Sequence, residues 1–77
     1  MEKIGILIML KLIGKVIDFK ELQEDNSFKF YKGKVLSAII EHDGNHKLCV
    51  EIGEDLADFF DVDRVYMDEL DIEIQPL

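Results

Sequence analysis

The side chains with the widest chemical reach lie between residues 42 and 63. His42, His46 and Cys49 form a His-x3-His-x2-Cys spacing that contains the right atoms for zinc. On a hairpin, however, side chains alternate between the two faces, so Cys49 points away from the face that His42 and His46 share. The pattern reads as two turn histidines and a small half-buried thiol. Paired imidazoles repel once charged, so such a turn would sense pH. Asp58, Asp61 and Asp63 offer hard oxygen ligands for calcium or magnesium. Phe59 and Phe60 interrupt them, and the calcium-loop pattern D-x-[DN]-x-[DN]-G is missing. A solvated acidic face is the reading these residues favour, with no metal and no cofactor. Catalysis has no foothold either: there is no glycine-rich phosphate loop and no nucleophile motif, and the only serines are Ser27 and Ser37. The expectation is a non-enzymatic protein.

Those residues sit in a chain of 77, long enough for one domain over 1–77 with modest stability. A composition that is 48% hydrophobic and 34% charged is that of a globular protein. One cysteine excludes an intramolecular disulfide, so a reducing cytoplasm is the expected setting. The apolar start, Ile4 to Leu10, is broken by Lys11 and Lys15, well short of the ~20 residues a membrane span needs. Charge is distributed unevenly. Residues 1–50 set eight lysines against seven acids, whereas residues 51–77 set ten acids against Arg64 alone. That imbalance bears on partners and solubility rather than on fold.

The elements that would position these groups are mostly strands. Ile4 to Ile17 is rich in β-branched residues and reads as a long bent strand kinked at Gly14. A helix placing Ile6, Leu10, Ile13 and Ile17 on one stripe is the competitor. "ELQEDNS" is a loop, and "SFKFYKG" is a short strand broken at Gly33. Lys34 to Ile52 is a hairpin. With the turn at Asp43-Gly44-Asn45, Ile40 faces Leu48, Ala38 faces Val50 and Leu36 faces Ile52, while Glu41 faces Lys47 on the other side. Gly53-Glu54-Asp55 makes the next turn and Leu56 to Val62 a strand. A single helical turn with Asp63 as its cap follows, and Leu70, Ile72 and Ile74 alternate as a closing strand.

"YKGKVLSAIIEHDGNHKLCVEI" followed by "DFFDVDRVYMDEL" resembles an SH3-like small barrel of the Tudor and KOW type. The likeness spans residues 31–74 and lies in element order, not in diagnostic residues. It implies an all-β fold: a small SH3-like barrel of five or six short strands with one helical turn near residues 62–67. It says little about function, and the aromatic spacing of a methyl-lysine cage is lacking.

Function is then sought in the charge. Glu54, Asp55, Asp58, Asp61, Asp63, Asp68 and Glu69, continued by Asp71 and Glu73, would form a negative field that speeds encounter with a basic protein surface. Phe59, Phe60, Tyr66 or Met67, where exposed, would anchor the complex. One form of this expectation is a nucleic-acid mimic that fills the Lys/Arg groove of a DNA- or RNA-binding enzyme. In that respect the chain is similar to small acidic phage inhibitors of host defence systems, including anti-CRISPR and anti-restriction proteins. The plainer form is that acidity keeps a small β protein soluble. Two alternatives stand beside it. One is a homo-oligomer subunit pairing through strand 4–12. The other is a nucleic-acid-binding module using the Lys29–Lys34 cluster beside Phe28, Phe30 and Tyr31, which the net charge of −8 disfavours.

Overall fold

The computed structural model describes residues 2–67. In chain order these form β1 (Glu2–Lys3), α1 (Ile6–Leu12), β2 (Val16–Leu22), β3 (Phe28–Ile39), β4 (Lys47–Gly53), β5 (Leu56–Asp61), the 3-10 turn η1 (Val62–Arg64) and β6 (Val65–Met67). The strands make one antiparallel sheet in the order β1-β6-β2-β3-β4-β5. The fold is therefore mostly β, with one short helix and one 3-10 turn. The expected closing strand at 70–74 lies outside the described residues.

The sheet curls on itself. Phe60 on β5 packs against Phe19 on β2 and Tyr31 on β3, with ring centroids 4.9 and 4.8 Å apart. In the sheet, β3 and β4 stand between β2 and β5, so only a rolled sheet brings these rings together. Phe19 and Tyr31 stack at 5.4 Å. Leu48, Val50, Val35, Ile17, Val62, Val65 and Met67 complete a core that is entirely apolar among the described residues. Fully burying such a side chain contributes ~1.5–3 kcal/mol.

Residues 6–12 are helical, not part of a bent strand. Leu and Met are good helix formers, and the helix adds Met9 and Leu12 to the core with no exposed surface. The buried stripe is thus Met9 and Leu12, not the Ile6, Leu10, Ile13, Ile17 stripe of the competing helical reading. Gly14 is the stop after this helix rather than a strand kink. Its φ of +87° is left-handed, a conformation that favours glycine just past a helix end. Its N–H donates to the Val35 carbonyl at 2.7 Å, and the Val35 N–H returns a bond to Lys15 at 2.9 Å. The chain is thereby sewn onto β3 before β2 begins.

Gly33 does not break β3, which runs unbroken from Phe28 to Ile39. It is the point of closest approach to β4: a Cβ there would collide with the Glu51 carbonyl oxygen and stand 2.7 Å from Val50 Cγ1. The hairpin register also differs from expectation. Ala38 pairs with Leu48 rather than Val50, and Lys47 pairs with Ile39 rather than Glu41. Beyond an irregularity at Leu36, Val35 pairs with Val50. That bulge carries Val35 into the core and leaves Leu36 outside, where a regular strand would do the reverse.

The connection is a seven-residue loop, 40–46, instead of a three-residue turn. A turn closes it from the Gly44 N–H to the Glu41 carbonyl, 3.1 Å, with Gly44 at a φ of +88°. Asp43 accepts the Asn45 N–H at 2.9 Å, and the Glu41 N–H donates to His46 Nδ1 at 3.0 Å. At the far end, η1 spans Val62–Arg64 and residues 65–67 return to strand. Asp63 lies within the turn; the position before it is Asp61, which makes no side-chain cap bond.

Candidate binding surface

β5 is the terminal strand of the sheet among the described residues, and all of its side chains except Phe60 are exposed. The alternation follows from the curl. Phe60 enters the core at 1% exposure, while its neighbour Phe59 stands on the outer face at 57%. Leu56 is also exposed. Five carboxylates fall within ten residues here: Glu54 and Asp55 at the β4–β5 tip, Asp58 and Asp61 on β5, and Asp63 in η1. Strand alternation sets Leu56 and Asp58 on the Phe60 side and Asp61 on the Phe59 side. Asp55 holds a left-handed φ of +58° in the two-residue turn, a conformation Asp tolerates.

The expected anchors divide accordingly. Phe59 is accessible, Tyr66 is half-buried, and Phe60 and Met67 are core residues that no partner can reach without unfolding the sheet. Asp68, Glu69, Asp71 and Glu73 lie outside the described residues. Leu56 was not anticipated as part of this surface. Its signal lay in the sequence: it follows the turn directly, before the strand reaches the core at Phe60.

The backbone of β5 also points two ways. The Val62 N–H donates to the His46 carbonyl at 2.9 Å, which makes 62 and 46 a hydrogen-bonded pair. In an antiparallel ladder such pairs alternate, so Phe60 and Asp58 address β4 while Ala57 and Phe59 turn their amide and carbonyl groups outward, and Asp61 its amide. The Phe59 N–H is met by the Asp58 carboxylate of its own strand, at 2.8 Å.

Asp61 pairs with Lys47 across the β4–β5 ladder at 3.6 Å, and both side chains are well exposed, so the pair contributes less than ~1 kcal/mol. Arg64 donates to the Leu22 carbonyl at 3.0 Å. Lys47, Asp61 and Arg64, with Asn45, His46 and Asp63, line an open depression of about 300 Å³. Its mixed charge favours neither an anion nor a cation.

The histidine–cysteine constellation is dispersed. His42 is exposed in the loop, His46 uses Nδ1 as an acceptor, and Cys49 sits mid-strand between Ser37 and Phe59. Among the described residues no group of three or more His, Cys, Asp or Glu side chains is placed to hold a metal ion.

The Lys29–Lys34 cluster is split by strand alternation. Lys29 leans over Tyr31, 5.3 Å from its centroid. Phe28, Phe30, Lys32 and Lys34 share the other face with Lys20, whose ammonium stands 4.6 Å from the Phe28 ring and 5.9 Å from Phe30. Tyr66 meets Phe28 edge-on at 5.7 Å. Phe30 is the most exposed aromatic, at 74%.

The segment expected to pair as a strand across a two-fold axis offers no ladder, because it is α1. Its outer face carries exposed Ile6, Leu7 and Leu10. No described helix is long and apolar enough to cross a membrane. Comparison with family models, curated proteins and solved structures finds no match.

Proposed function

We propose that this protein is a non-enzymatic, SH3-like binding module whose β5 side engages a basic protein surface. Support for the barrel assignment comes from the strand order, the pairing of β2 with β6 and the 3-10 turn joining β5 to β6. The observation that carries the functional reading is β5 itself. A terminal strand exposes Leu56 and Phe59 among five carboxylates, with Lys47 and Arg64 as the bases beside them. The carboxylates steer a cationic partner and the phenyl ring supplies desolvated contact area. A partner whose own function is to grip phosphate, such as a DNA- or RNA-binding enzyme, presents a surface of the required sign. In a reducing cytoplasm such a module would act as an inhibitor or adaptor.

Capture from the native host at low and then high salt identifies the partner. Replacing Asp58, Asp61 and Asp63 together by Asn should then weaken its affinity at least about tenfold and flatten the salt dependence. Unchanged affinity in that variant rejects the proposal.

One observation favours a second reading. Phe28, Phe30 and Tyr66 with Lys20, Lys32 and Lys34 form a face on which nucleic-acid bases could stack beside cations. A gel shift with single-stranded oligonucleotides tests it directly. The acidic side is preferred because the whole molecule carries −8.

A further inference from the structure

We infer that β5 takes its partner by strand addition: an extended segment alternating Lys or Arg with apolar residues docks along the outer edge of Ala57–Asp61 and lengthens the sheet. This rests on the proposed function and specifies the form of the partner. Three observations lead to it. First, β5 has one neighbour among the described residues, β4. Second, the ladder parity fixed by the Val62–His46 bond turns the N–H and C=O groups of Ala57 and the N–H of Asp61 outward, away from the one strand that β5 pairs with among the described residues. The Asp61 carbonyl, at the N-cap of η1, serves that turn. Third, the charge beside that row is mainly negative: Asp58 and Asp61 on the strand and Glu54, Asp55 and Asp63 at its ends, against Lys47, which pairs with Asp61, and Arg64. An acidic or neutral segment could use the same backbone groups but would meet repulsion or no steering. Strand addition combines main-chain affinity with side-chain selection.

Asp58 gives the edge a guard. Its carboxylate occupies the Phe59 N–H, the middle donor of the row. An incoming strand needs that donor. A cationic side chain on the incoming strand draws the carboxylate away and releases it, so opening the edge is coupled to the charge of the ligand. Phe59, exposed on the outer face, then packs against an apolar residue of the added strand.

The test uses the full chain and three ten-residue peptides: one alternating Lys with Val, one alternating Glu with Val, and the Lys peptide with two Pro at its centre. Hydrogen exchange is followed at the Ala57 and Asp61 amides. In the free protein both should exchange at rates near those of an unstructured chain, and the Lys–Val peptide alone should slow them at least about tenfold. Slow exchange of both amides before any peptide is added means that the edge is already covered and overturns the inference. Ala57→Pro removes an outward N–H and none that addresses β4, so it should abolish binding while leaving β4 amide protection intact. Asp58→Asn keeps an oxygen for the Phe59 N–H but loses the charge. It should narrow the preference for the Lys peptide over the Glu peptide at least about tenfold. If the Pro-containing peptide binds as well as the uninterrupted one, or Ala57→Pro binds normally, strand addition is wrong. A weakening confined to the Asp58/Asp61/Asp63→Asn variant then leaves docking to the acidic surface standing. If neither the peptides nor that variant shows any effect, both proposals fall.

Discussion

Phe59 and Phe60 are chemically identical neighbours in opposite surroundings, and they define what can be learned one residue at a time. Phe60 packs on Phe19 and Tyr31 in the centre of the rolled sheet, so Phe60→Ala should cost ~3–5 kcal/mol by urea denaturation. Phe59→Ala should stay within about 0.5 kcal/mol, because its ring meets mostly solvent. A comparable loss at both positions would show that the outer face is covered. The sequence announced two aromatics beside acids without saying which one faced out. Alternation fixes that the two differ, but only the packing of Phe60 against β2 and β3, distant in the chain, decides the sign.

At the scale of elements, the strand-rich body, the turn at 53–55 and the helical turn after Asp61 were legible because turn chemistry and alternation agree there. Two elements were not. Residues 4–17 are apolar apart from Lys11, Lys15 and two glycines, and their spacing suits a strand and a helix alike; burial of Met9 and Leu12 in the core selects the helix. The 34–52 hairpin misled for another reason. An uninterrupted ladder of apolar rungs looked best on the assumption of regular strands, whereas the bulge at Leu36 exchanges faces midway and a longer loop takes up the slack. That loop has its own pH signature. The backbone N–H of Asn45, chiefly, holds the Asp43 carboxyl below its ordinary value. A depressed folded-state value stabilises the fold above the unfolded value of 3.8 and loses that contribution as pH falls through the folded one. Thermal melts of Asp43→Ala should therefore lie below those of the wild type at pH 6, and the gap should close below pH 3.8. A gap independent of pH would assign the effect to loop geometry alone. The candidate surface was half legible on this scale: its acids and Phe59 were visible, while Leu56 and the open backbone edge depend on where the sheet stops.

For the molecule as a whole, charge and topology work over different distances. A net −8 on 77 residues implies self-repulsion that dissolved salt screens. Melting in 0.5 M sodium chloride, a screening length of about 4 Å, should occur above that in 0.01 M at neutral pH. An unchanged midpoint would mean that the bases already balance the acids locally. Topology has a consequence for synthesis. β2 is complete by Leu22, yet one of its two neighbours is β6, through Glu21 opposite Val65. While the chain is being made, residues 16–22 must wait with one flank open until more than forty further residues have left the ribosome. A translational pause before Val65 would leave Ile17 and Phe19 without part of their cover, and nascent-chain chaperones would find them there.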